Sequence, residues 1–90
     1  MKKNKIIIAN IKMNGSLTFN ELHLTKIKKN FNNFNNLSIG LCLPYPYLFQ
    51  AKKILTGTKI RWGSQNVAKF ENGPHTGEVS AAMLKEFDNK

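Results

Sequence analysis

The run Ile6-Ile7-Ile8-Ala9 constrains the fold of this chain more than any other feature. Its four apolar residues, three of them β-branched, are continuous rather than alternating, so they read as a strand covered on both faces. Strands of that kind belong to parallel sheets, which need helices on their faces and neighbours at both edges. A chain of alternating strands and helices is therefore expected.

After the strand comes a polar loop, Asn10-Ile11-Lys12-Met13-Asn14-Gly15. Thr18-Phe19-Asn20-Glu21 then has the spacing of a capping box at a helix start. Leu24, Ile27, Phe31 and Phe34 recur at steps of three, four and three, as one face of a helix would, with Lys26, Lys28 and Lys29 off that stripe. Asn32, Asn33, Asn35 and Asn36 are poor helix formers and should end it. Ile39 to Leu43 is a second short apolar run, stopped by Pro44-Tyr45-Pro46 because proline lacks the N–H a ladder needs. A second helix is expected on the stripe Tyr47, Leu48, Ala51, Ile54 and Leu55, with Gly57 as its terminator. Lys59 to Gly63 is the third strand candidate. The polar stretch from Gln65 to Glu78 is longer than the usual connection of ~2 to 6 residues, and loops of that length are commonly functional. Ser80 can cap a last helix running through Phe87, with Met83, Leu84 and Phe87 on one face.

Strand, helix, strand, helix, strand, long loop, helix is an α/β pattern in units of roughly 30 residues. A closed barrel of eight parallel units needs ~250 residues, so 90 residues account for about three. The expected architecture is the first three units of a (β/α)8 barrel, with residues 1–90 forming the amino-terminal part of a single domain. On its own such a chain should expose unpaired strand edges and aggregate or stay loosely folded.

Fourteen Lys and Arg against five Asp and Glu give a net charge of +9, which would ordinarily point to a polyanionic partner. Along the sequence, however, the charge is dispersed. Lys2, Lys3 and Lys5 are terminal, Lys26, Lys28 and Lys29 lie on the solvated side of a helix, and Lys52 and Lys53 adjoin another apolar stripe. A nucleic-acid binder would more typically concentrate cations among stacking aromatics, whereas Phe31, Phe34 and Tyr47 or Phe49 are expected in the core. Nucleic acid is thus not the expected partner, and a stand-alone basic module for nucleic acid or other polyanions is the second choice of function. Hydrophobic content of 41% argues against disorder. The single cysteine, Cys42, excludes an intramolecular disulfide framework and a multi-cysteine zinc site and fits a reducing compartment. Met1-Lys2-Lys3-Asn4-Lys5 resembles the charged start of a signal peptide, but the following apolar run is too short for one, and no run approaches the ~20 residues of a membrane span. A cytoplasmic protein without membrane partners is expected.

Loops that follow parallel strands converge on one face, and ligands bind there. Asn10 to Gly15, Pro44 to Pro46 and Gln65-Asn66 onwards all follow strands, so they should share one rim. Lys12 stands two residues beyond a buried strand, where a rigid scaffold can aim its ammonium at a substrate phosphate or a developing negative charge. The plainer alternative is one more solvated lysine. Asn10 could position Lys12 or the substrate. His75, in the long loop, has no neighbours in sequence to complete a base or a metal set, and His23 fits ordinary helix packing or exposure. Cys42 reads as a packed thiol. Neither a glycine-rich phosphate loop nor a carboxylate pair is present, since Glu21 is assigned to the cap and Glu86 and Asp88 to the terminal segment. No metal site is expected.

Taken together, four runs resemble the amino-terminal third of the triosephosphate isomerase family, whose fold is the TIM barrel. That family opens with Asn-Trp-Lys-Met-Asn-Gly after its first strand, and here stands Asn10-Ile11-Lys12-Met13-Asn14-Gly15. Its Cys-Pro-Pro-aromatic-Pro-Tyr-Leu run is matched by Cys42-Leu43-Pro44-Tyr45-Pro46-Tyr47-Leu48. Gly-Ala-Gln-Asn is matched by Gly63-Ser64-Gln65-Asn66, and Gly-Ala-Phe-Thr-Gly-Glu by Gly73-Pro74-His75-Thr76-Gly77-Glu78.

The resemblance implies a cofactor-free glycolytic isomerase interconverting dihydroxyacetone phosphate and glyceraldehyde 3-phosphate, also used in gluconeogenesis. Asn10 and Lys12 would bind the triose phosphate, and Lys12 would offset charge on an enediolate-like transition state. It implies a homodimer through the Gln65 to Val79 loop, with Thr76 reaching towards the neighbour's site, Met13 in the pocket that receives the partner's loop, and Asn14, Gly77 and Glu78 at the same interface. Ile11 for Trp, Leu43 for Pro and Pro74-His75 for Ala-Phe depart from the pattern. The family's histidine electrophile stands in a Gly-His-Ser-X-Arg-Arg run and its glutamate base further on. Neither has a match here, so these 90 residues alone are expected to be catalytically incomplete.

Overall fold

The computed structural model describes residues 5–31 and 36–88. Three strands, β1 (Lys5–Asn10), β2 (Leu37–Leu43) and β3 (Arg61–Ser64), pair in parallel in the order β1-β2-β3. Helix α1 (Leu17–Phe31) connects β1 to β2, α2 (Leu48–Leu55) connects β2 to β3, and α3 (Ala81–Lys85) follows the long loop. This is the expected α/β succession, the first units of a parallel barrel with the sheet left open.

Register decides which side chains share a face. Ile7 pairs with Ile39, and Ala9 with Leu41, which in turn pairs with Trp62, so these residues point to the same side. That side holds the core. Leu41, Leu43 and Trp62 are buried against Leu24 of α1 and Leu48, Ala51 and Leu55 of α2, with Ile60 beneath them. Each fully buried leucine contributes about 1.5–3 kcal/mol.

The cover expected on both faces of β1 exists on neither side in full. Ile6 and Ile8 lie on the sheet face opposite the helices and are 72% and 67% exposed, while Ile7, on the helix side of an edge strand, is still half exposed. Right-handed crossovers that advance in one direction across a sheet put their helices on the same side, which leaves the other bare.

Several boundaries differ from expectation for local reasons. The Oγ of Ser16, not of Thr18, accepts from the Phe19 N–H at 3.1 Å, and α1 begins at Leu17. Gly15 forces the earlier start. Its φ of 109° is open to glycine, and a Cβ there would lie 2.7 Å from the Asn20 Oδ1. Glu21, freed from the box, accepts from Gln50 Nε2 at 3.5 Å. At the third strand, Thr58 Oγ1 donates to Leu55 O (2.7 Å) and accepts from the Ile60 N–H (3.1 Å), so Thr58 to Ile60 form a turn on the end of α2 and β3 starts only at Arg61. Strand β2 begins earlier than Ile39, at Leu37, and ends at Leu43 before the prolines. Gly57, with φ 89°, follows the end of α2 as expected.

Ser80 caps α3 as expected, its Oγ accepting from the Met83 N–H at 3.2 Å, but the regular helix stops at Lys85 and Glu86 and Phe87 continue as turns. Leu84 and Phe87 pack on the core whereas Met83 is exposed, so the three do not share one buried face. The Trp62 indole N–H donates to Phe87 O and Lys52 Nζ to Glu86 O (2.7 Å), tying this segment to β3 and α2. Of the aromatics expected in the core, Phe31 and Phe49 are exposed, Tyr47 is half-buried, and Phe34 lies outside the described residues. Phe49 lines an open groove between α1 and α2. Among the described residues no helix is long and apolar enough to cross a membrane.

Candidate functional site

The parallel register brings the ends of the three strands to one level, with Asn10 opposite Cys42 and Cys42 opposite Gly63. The loops that leave these positions meet as the sequence suggested. Their junction is a hydrogen-bonded knot around Lys12. Asn10 Oδ1 accepts from the Lys12 N–H at 2.7 Å, and Gln65 Nε2 donates to Lys12 O at 2.8 Å. The same Gln65 amide lies 3.2 Å from Asn10 Oδ1 and 3.2 Å from Cys42 O, so one side chain just after β3 bridges the ends of β1 and β2. Ile11 N–H donates to Cys42 O at 3.0 Å, which closes the knot from the strand side.

Lys12 is the only non-glycine residue with positive φ among the described residues, at 58°. A left-handed conformation at such a residue costs of order 1–3 kcal/mol and persists only where the surroundings fix it. The surroundings here are Asn10 below the amide and Gln65 across the carbonyl. Both backbone polar groups of Lys12 are thereby occupied, and its side chain is left exposed at the mouth of the sheet. An ammonium held on a fixed backbone beside an asparagine amide can meet a phosphate or an oxyanion without reorganisation at the moment of reaction.

The rest of the rim is built from the first and second loops. Asn14 Nδ2 donates to Ile11 O at 3.0 Å, and the Tyr47 hydroxyl donates to Gly15 O at 3.0 Å. Met13 is 95% exposed and borders a depression of about 310 Å³ with Asn14, Gly15, Pro44, Pro46 and Tyr47. Thr76, Gly77 and Glu78 stand exposed on the long loop, and among the described residues no hydrogen bond joins them to Lys12. The loop has internal order: Ala68 N–H donates to Val79 O at its base (2.8 Å), His75 stacks on Phe70 at 3.8 Å between ring centres, and Glu78 N–H donates to His75 O (3.1 Å).

Neither histidine joins the rim. His23 stacks on Phe19 at 5.2 Å on the outer side of α1, and His75 belongs to the loop stack. Cys42 contributes its carbonyl oxygen while its thiol is half-buried. No group of three His, Cys, Asp or Glu side chains suited to a metal ion occurs among the described residues. Gln65 is the residue that sequence reasoning underused. Its place after β3 put it on the rim, but that one amide would span three loops is not a periodic signal and shows only in the fold.

Three parallel strands with crossover helices and a polar rim at the carboxyl ends of the strands are the opening units of an α/β barrel, a fold class that binds its ligands at that face. Comparison with known proteins narrows the class. The sequence model of triosephosphate isomerase matches residues 5–90, and the chain belongs to the triosephosphate isomerase family. It is 41% identical over 87 residues to the triosephosphate isomerase of Nitrosomonas eutropha and 44% identical over 85 residues to that of Herminiimonas arsenicoxydans, alignments that cover 97% and 94% of this chain. The corresponding protein of an Azoarcus species is 42% identical over 83 residues, 92% of this chain. The chain spans about a third of the length of these relatives, 34%, 34% and 32% respectively.

Proposed function

We propose that this chain supplies the Asn10–Lys12 part of a triosephosphate isomerase active site, acting on dihydroxyacetone phosphate and D-glyceraldehyde 3-phosphate in glycolysis and gluconeogenesis. The observation that carries the proposal is the left-handed Lys12, fixed by Asn10 and Gln65 at the face where the strands end. In such an isomerisation a base moves a proton between adjacent carbons, and negative charge builds on the carbonyl oxygen. Lys12 offsets that charge and attracts the substrate phosphate, while Asn10 orients both the lysine backbone and the substrate. No cofactor enters this scheme, because the proton removed from one carbon is returned to the next.

Family membership supports a homodimer through the Gln65 to Val79 loop, with Thr76, Gly77 and Glu78 entering the depression beside Met13 and Asn14 of a second copy. It also supports a cytoplasmic setting. These 90 residues contain no match to the family's histidine run or glutamate base, and General-base catalysis typically supplies ~10²- to 10⁴-fold in rate. The described part is therefore insufficient for turnover by itself.

The test combines this chain with the complementary strand-helix units of a relative and measures triose phosphate interconversion. Activity that needs both pieces and falls by about 10²- to 10³-fold in Lys12→Ala supports the proposal, by the scale of losing one oxyanion-stabilising group. Turnover by the chain alone, or a mixture indifferent to Lys12, contradicts it.

A further inference from the structure

The loop proposed to join two copies carries His75 where the family pattern Gly-Ala-Phe-Thr-Gly-Glu has a phenylalanine. Both rings can pack, but only an imidazole changes charge between pH 5 and 8. In this chain the loop tip is built around that residue. The His75 N–H donates to Gly73 O at 2.9 Å, its carbonyl accepts from the Glu78 N–H at 3.1 Å, and its half-buried ring stacks on Phe70 with centres 3.8 Å apart and planes 7° from parallel. Gly73, with φ 130°, makes room for the edge of the ring, since a Cβ there would stand 3.1 Å from His75 Nε2. A change of charge on this ring therefore falls on the segment that presents Thr76, Gly77 and Glu78.

The charges that surround the ring come from two sources. Within the loop, Glu71 and Glu78 line the same small cavity as His75, and the Lys69 ammonium stands over the Phe70 ring, 5.2 Å from its centre. Ser80 and Met83, which line that cavity from the α3 side, carry no charge. These groups travel with the loop. Docking adds the depression of a second copy, lined by Met13, Asn14, Gly15, Pro44, Pro46 and Tyr47. It holds no carboxylate: Glu21 of α1 is turned to Gln50 at 3.5 Å, the Tyr47 hydroxyl donates to Gly15 O, and the residue adjoining Met13 is Lys12 with its exposed ammonium. An imidazolium entering that surface gives up water and meets a like charge with no counter-charge, whereas a neutral imidazole gives up far less. We propose that His75 is a pH latch on the homodimer, neutral while two copies are paired and protonated when they part. The inference rests on the homodimer reading above and adds its regulation. The paired form binds fewer protons than the separated copies, so falling pH drives separation, and because the loops enter reciprocally two imidazoles act in each dimer.

The test uses the whole chain mixed with the complementary strand-helix units of a relative, followed by sedimentation velocity at about pH 7.5 and about pH 5.5, on either side of the histidine range, at one ionic strength. The expected result is a dimer whose dissociation constant rises at least about tenfold on acidification, since uptake of two protons on separation permits up to about a hundredfold per pH unit. His75→Phe, which restores the family pattern, keeps the dimer and holds the rise below about threefold. His75→Gln, neutral at both pH values, repeats that comparison should the phenylalanine variant misfold. His23→Gln, on the outer side of α1, leaves the rise as large as in the parent. Circular dichroism is expected to match at the two pH values; loss of the spectrum in the parent and in His75→Phe alike would mean acid unfolding and overturn the latch. A dissociation constant unmoved by pH, or an equal rise in His75→Phe, overturns the latch and leaves the homodimer standing. Monomers at both pH values in the parent and in every variant overturn the homodimer reading and the latch with it.

Discussion

The two faces of the sheet are built from similar residues and meet different surroundings. On the helix side, Leu41, Leu43 and Trp62 are buried by α1 and α2; on the other side, Ile6 and Ile8 of the same sheet stand largely in solvent. Hydrophobicity alone does not separate them, since isoleucine is no less apolar than leucine. What separates them is whether a crossover helix returns to that face. The helix side holds the three units together, and the opposite side carries an apolar surface fitted to an interior that these residues do not fill by themselves. The proposed chemistry sits at neither face but at the rim joining them, where backbone conformation rather than burial is specified.

The largest effect should come from the helix side. Leu43→Ala, at a position 1% exposed beneath both helices, is expected to cost about 2–5 kcal/mol, seen as a large loss of the helical circular dichroism signal and of its midpoint in denaturant. If it were tolerated, the core would not lie where the burial places it. Next is the turn that starts α1. Gly15→Ala sets a Cβ against Asn20 Oδ1 at a φ of 109° and should lower stability by about 1–3 kcal/mol in the same measurement. The smallest change is expected on the open side, where Ile8→Ser should move the midpoint by no more than the ~0.5 kcal/mol of an ordinary surface substitution and should reduce aggregation. Repeating Ile8→Ser with complementary barrel units present sharpens the contrast, because a covered isoleucine would then cost severalfold more.

Most of the fold was legible because its signals are local. The uninterrupted Ile6–Ala9 run, the prolines after Leu43 and the serine before α3 each act within a few residues, and each element appeared where they put it. Boundaries failed where a neighbour intervened. Thr18 lost the cap to Ser16 because Gly15 and Asn20 interlock, and Lys59 was withheld from β3 because Thr58 bonds back to α2. The cover predicted for Ile6 and Ile8 is a property of a larger barrel, which the residues encode and the described units do not supply. At the site, Asn10 and Lys12 were legible from the motif, and the structure brings them together. The conformation of Lys12 and the reach of Gln65 were not, because positive φ at a lysine follows from two hydrogen bonds made by residues far apart in sequence.

The most direct test of the central claim, that Asn10 and Gln65 hold Lys12 as an anion-facing group at the rim, is an amide chemical-shift titration of the ¹⁵N-labelled chain with dihydroxyacetone phosphate. The account predicts that Asn10, Lys12 and Gln65 shift together, that residues at the opposite end, such as Ser38 and Thr58, stay still, and that Gln65→Ala removes the response at Lys12. Shifts confined to the end of the sheet opposite the rim, or a Lys12 response that survives Gln65→Ala unchanged, would contradict it.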